Sequence, residues 1–116
     1  MPIPSRLALC ALLLPLGCQP AGPPEQPPEV DCDEVSVPAY EDLGIWNSCT
    51  GCHASDLTGP YRRGAPEGVD FDTYDAAVAL AEDAAIEVNI GNMPFTGTVS
   101  EDDKEDFYAW ALCGTP

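Results

Sequence analysis

Apolar residues fall into separated blocks along the chain. The first is a run from Leu7 to Leu16, interrupted only by Pro15 and preceded by Arg6. It is too short to cross a bilayer as a helix, and its shape is that of the h-region of a secretory signal, placing residues 1–17 in a signal peptide. From Gln19 to Glu34 apolar positions thin out and proline and glutamate take over, with Pro20, Pro23, Pro24, Pro27 and Pro28. Such a stretch buries no core and favours extended polyproline backbone, so residues 18–34 read as a semi-rigid spacer.

Beyond the spacer, helical spacing returns three times. Pro38 to Asn47 carries early acids Glu41 and Asp42 and apolar Leu43, Ile45 and Trp46, with Gly44 weakening the middle; a short helix is expected. Thr73 to Val88 is the strongest helical segment. Asp72 is a suitable N-cap, and Tyr74, Val78, Ala81, Ala85 and Val88 fall on one stripe. Its alanines would allow another element, or a flat cofactor, to approach closely. The last opens at Ser100, followed by acids at 101, 102 and 103, puts Phe107, Trp110 and Ala111 on one face, and stops at Gly114. No segment alternates with a strand period. The expectation is one all-α domain over residues 35–116, about three helices joined by long loops. A core of that size is marginal by itself and usually needs a disulfide, metal or cofactor.

Charge narrows the partners. Four Lys and Arg face twenty Asp and Glu, a formal charge of −16. Loss of the signal peptide would remove Arg6 and leave only Arg62, Arg63 and Lys104 as cations. Phosphates would be repelled, which excludes nucleic acid, and anionic membrane surfaces would be repelled too. A surface this acidic suits rapid encounter with a basic partner; salt adaptation or solubility would explain it equally.

The chemistry lies in Cys49-Thr50-Gly51-Cys52-His53. Two thiols separated by two residues match the spacing of the two vinyl groups of haem, and the histidine that follows is held beneath the iron. A thioredoxin-like dithiol would want a βαβ context, which is missing. A zinc site would need further ligands, yet His53 is the only histidine and the other cysteines are scattered singly. One covalent haem c on Cys49 and Cys52, with His53 as an axial ligand, is therefore expected. Six-coordinate iron needs a second strong-field donor, and after Met1 the only methionine is Met93. It lies in Ile90-Gly91-Asn92-Met93-Pro94, between helix-stop residues and a stiffening proline, where core filler is not expected. Arg62 and Arg63 are candidates for pairing with a haem propionate or are solvated loop charges. Tyr61, Tyr74, Trp46 and Trp110 are expected to pack around haem and core.

Two resemblances extend these readings. Leu14-Pro15-Leu16-Gly17-Cys18 resembles the lipobox of bacterial lipoproteins, with Pro15 where leucine is usual. That implies lipidation of Cys18 and a lipid tether to an extracytoplasmic membrane face; the alternative is an ordinary cleaved signal and a soluble periplasmic protein. The Cys49-x-x-Cys52-His53 motif, the Met93-Pro94 loop and the aromatic C-terminal helix together resemble class I cytochrome c, in particular short bacterial mono-haem domains, over residues 38–114. The resemblance implies the cytochrome c fold, with its first and last helices crossing, and a proline carbonyl that orients the histidine ring, falling here on Pro60. Two positions depart from the family pattern: Glu41 replaces an early glycine, and Ile45 stands where an aromatic is usual, with Trp46 beside it. Crossing helices would also bring Cys32 near Cys113, the two cysteines left over in an oxidising compartment, and so imply a disulfide between them. The alternative leaves both thiols free. The function implied is one-electron transfer rather than catalysis, with a redox partner bearing a basic docking surface. Two other readings stand beside it: a haem-based ligand sensor or catalytic module in which Met93 is displaceable, and a haem relay subunit of a larger oxidoreductase.

Overall fold

The computed structural model describes residues 25–116; Cys18 and the apolar run before it lie outside the described residues. The described part is all-α. Its elements are a 3-10 turn at Tyr40–Asp42, a one-turn helix α1 at Trp46–Cys49, a second 3-10 turn at Gly59–Arg62, and helices α2 (Tyr74–Asn89) and α3 (Glu101–Leu112). No strand occurs among the described residues, and no helix there is long and apolar enough to cross a membrane.

The two long helices form where their end signals predict. Thr73, one residue after the expected Asp72, caps α2 by accepting from the Ala76 amide at 3.3 Å. Asp72 instead accepts from the Ser55 amide and hydroxyl. Ser100 caps α3 by accepting from the Asp103 amide, and three acids complement the helix dipole in its first turn. Both helices end on a glycine with positive φ. At α2, Gly91 (φ 84°) lets the Asn92 amide reach back to the Glu87 carbonyl and its own amide to Val88, a Schellman pair. Gly114 (φ 99°) does the same for α3, where the Thr115 amide donates to Trp110.

The stretch expected as a helix over 38–47 is not one. Leu43 is extended (ψ 112°), and regular α structure begins only at Trp46. Ten residues containing a central glycine gain little from helix nucleation. The extended step instead turns both Leu43 and Ile45 into the core. It also carries Gly44 against the first turn of α3, where a side chain at position 44 would collide with the Asp103 carboxylate.

The core lies between α2 and α3. Ala77, Ala81, Ala85 and Val88 face Phe107, Trp110, Leu43, Ile45, Phe71 and Val99. The α2 stripe is thus rotated from the expected one: Ala77 is fully buried, Val78 is only half-buried, and Tyr74 is exposed, its hydroxyl donating to the Thr115 carbonyl. Alanines on α2 leave room for the large rings opposite. Trp46 stacks on Phe71 (centroids 5.8 Å, 13°) and meets Trp110 edge-on at 5.5 Å. Trp46 and Trp110 are therefore core residues as expected, whereas Tyr61 is exposed.

Cys32 and Cys113 form a disulfide, Cα to Cα 5.5 Å. It ties the end of the spacer to the end of α3. The C-terminal carbonyl of Pro116 accepts from the Tyr40 amide and the Trp110 indole, fastening the tail to the same corner.

Candidate functional site

The segment from Cys49 to His53 continues the turn of α1. The His53 amide donates to the Cys49 carbonyl at 2.9 Å and the Cys52 amide to the same oxygen at 3.2 Å. Helical spacing of three and four residues sets Cys49, Cys52 and His53 on one side of the turn. That side faces a cavity of about 460 Å³, within the range of small-molecule and cofactor sites. Its walls are apolar: Ile45, Trp46, Val69, Phe71, Leu80, Val88, Val99 and Phe107.

Met93 lines the same cavity. The Schellman ending of α2 puts it there, because its amide also donates to the Glu87 carbonyl at 3.1 Å, holding the loop against the helix end. Cys49, Cys52, His53 and Met93, forty-four residues apart from first to last, are thus brought to one chamber.

The state of the imidazole follows from its partner. His53 is nearly buried, and its Nδ1 lies 2.8 Å from the Val69 carbonyl. A carbonyl can only accept, so Nδ1 carries the proton of this bond, and Nε2 is the ring nitrogen left for another partner. Phe71 meets the ring edge-on at 5.4 Å, and its amide donates to the His53 carbonyl. A ring held through Nδ1 on a backbone carbonyl is the arrangement of a metal-ligating histidine. The orienting carbonyl is not the expected one. Pro60 sits within a 3-10 turn, and its oxygen accepts from the Arg63 amide at 3.1 Å. Val69 takes the role because the Phe71 bond draws residues 69–71 alongside His53.

The two thiols are free, and burial pushes Cys49 up to about 11. A reactive redox dithiol requires a lowered thiol pKa, so this environment disfavours that chemistry. Among the described residues, no three His, Cys, Asp or Glu side chains lie close enough together to hold a metal ion.

The adjacent arginines separate completely. Arg62 is 2% exposed and pairs with Asp70 at 2.7 Å, so it is neither a solvated charge nor open to a ligand in the cavity. Arg63 adopts a left-handed conformation (φ 51°), uncommon outside glycine, and lines the cavity with its side chain exposed. Lys104 pairs with Glu101, leaving Arg63 as the cation without a salt bridge among the described residues. Asp83 and Glu87 of α2 also line the cavity, and Phe95, two residues beyond Met93, is 82% exposed beside it. Nothing in an Arg-Arg pair distinguishes its members by sequence; the fold of the 54–70 loop does. No protein-family model, curated protein or solved structure matches the chain.

Proposed function

We propose that the chain is a mono-haem c-type cytochrome that carries single electrons, with the cytochrome c fold. The observation that carries this reading is the meeting of Cys49, Cys52, His53 and Met93 in one apolar chamber. The donor set fits the group: two thiols on one turn, an imidazole held through Nδ1 so that Nε2 is the nitrogen left to ligate, and a thioether sulfur on the Met93 loop. Cys49 and Cys52 would hold the haem as thioethers, and His53 and Met93 would ligate its iron. When bound, the haem supplies a one-electron couple at its iron.

The chain's own residues set the surroundings. Trp46, Phe71, Leu80 and Phe107 give the chamber an apolar lining, to which the half-buried Met93 adds from its loop. Arg63 is the residue suited to a propionate, being the cation of this lining without a carboxylate partner. The Val69 carbonyl keeps His53 in one tautomer and orientation. Excess acid on the surface favours a partner with a basic docking face. Cys18, as a lipid anchor, and the spacer after it would hold this domain at an extracytoplasmic membrane face.

Mass spectrometry after expression with a cytochrome c maturation system tests the reading. The denatured chain should carry one haem, retained through acid-acetone extraction and lost from Cys49→Ala/Cys52→Ala. A bare polypeptide mass in the wild type would refute it.

A further inference from the structure

Among the described residues, Arg62 is the most heavily hydrogen-bonded side chain. Nε donates to the Ala65 carbonyl at 3.1 Å, and Nη1 to Ala54 and Leu57 at 2.8 and 3.2 Å. Nη2 has two hydrogens for three acceptors: it donates to Pro66 and Asp70 at 2.7 Å each and shares one of those hydrogens with the Val69 carbonyl at 3.2 Å, the longer arm of a bifurcated bond. Every donor of the guanidinium fork is engaged, and five of the six partners are loop carbonyls between residues 54 and 69. A connection of this length without long helix or strand is uncommon in a small domain. Arg62 closes it from within.

One of those carbonyls has a second tenant. The Val69 oxygen accepts from Arg62 Nη2 and from His53 Nδ1. A carbonyl with two lone pairs can serve both, but each donor polarises it and the two compete for its electron density. Asp70, the next residue, moderates the competition because its carboxylate offsets the charge on the same Nη2.

We infer that Arg62 is a positioning residue for His53: through the shared Val69 carbonyl it fixes the imidazole and limits the strength of the Nδ1–H bond. The inference rests on the haem reading above. A stronger bond at Nδ1 makes the ring more imidazolate-like at Nε2, and such a ligand favours oxidised iron. By taking part of the Val69 oxygen, Arg62 holds the reduction potential up. Its charge and its geometry act separately: Arg62→Lys keeps the charge but loses the fork that reaches Val69.

The test compares wild-type, Arg62→Lys and Asp70→Asn holoproteins by reduction potential and by the proton NMR resonance of His53 Nδ1–H. In Arg62→Lys the resonance should move downfield and the potential should fall, by up to tenfold in the reduced-to-oxidised ratio, or 59 mV for one electron. In Asp70→Asn the unneutralised guanidinium pulls harder on Val69, and the resonance should move upfield. Folded Arg62→Lys holoprotein with both readouts unchanged would overturn the inference. If Arg62→Lys does not accumulate, an unmoved resonance in Asp70→Asn overturns it equally. Failure of both variants to retain haem would reduce Arg62 to a purely structural role and also count against it. A wild type without covalent haem is seen first, in the mass, and removes the reading beneath rather than the role of Arg62 alone.

Discussion

Removing the Cys32–Cys113 bridge isolates a contribution that acts almost wholly on the unfolded chain. Cys32 is exposed and Cys113 half-buried, so Cys32→Ser/Cys113→Ser empties no core cavity. The bridge spans 81 residues, for which chain entropy gives about 4.5 kcal/mol at 25 °C. Haem bound as proposed would shorten that loop: if His53 and Met93 stayed joined through iron in the denatured chain, the forty residues between them would no longer count. The closed path would then fall to about 41 residues and the contribution to about 3.9 kcal/mol. Guanidinium unfolding followed by circular dichroism at 222 nm measures it. The double variant should lose about 4 kcal/mol, and wild type reduced under native conditions should match the variant. A difference below about 1 kcal/mol would refute this reasoning, showing that the unfolded chain is already compact or that the native bridge is strained enough to cancel its benefit. Two alkylatable thiols in native monomer, mapped to Cys32 and Cys113, would refute the bridge itself.

Two further outcomes concern the Met93 loop and the 54–70 loop. Met93→Ala should abolish the weak far-red charge-transfer band of iron–methionine sulfur in the oxidised protein, lower the potential and open the iron to carbon monoxide when reduced; an unchanged spectrum would remove Met93 as the sixth ligand. The Asp72 carboxyl is held below its ordinary value chiefly by the Ser55 hydroxyl at 2.6 Å. A lowered folded-state pKa stabilises above the unfolded value and is lost as pH falls through the folded one, so Ser55→Ala should be less stable than wild type at pH 7, with the gap closing on acidification below pH 4. A gap independent of pH would show that Ser55 acts without Asp72.

Much of this molecule is legible in its residues because the signals are local. Ser100 caps as expected, the cap of α2 falls on Thr73, one residue past the expected Asp72, Gly91 and Gly114 stop, and between them the period of apolar positions yields α2 and α3 within a residue or two. The Cys49-Thr50-Gly51-Cys52-His53 spacing is likewise local, since one helical turn suffices to align its side chains. Met93 could be singled out because it is the only methionine after the first, and Cys32 and Cys113 by elimination once the other cysteines had uses. Where the reading departed from the structure, long-range packing was the reason. The stretch 38–47 gave up its helix so that Leu43 and Ile45 could both enter the core and Gly44 could pass Asp103. The α2 stripe rotated to set Ala77 against the rings of α3. The carbonyl beneath His53 came from Val69 and not Pro60, and two neighbouring arginines went to opposite fates, one buried on loop carbonyls and one left at the cavity. Helix ends and motif spacings are settled within a turn or two of chain. Which carbonyl meets an imidazole sixteen residues away, and which arginine fills a loop, depends on how that loop closes, and only the assembled tertiary contacts decide it.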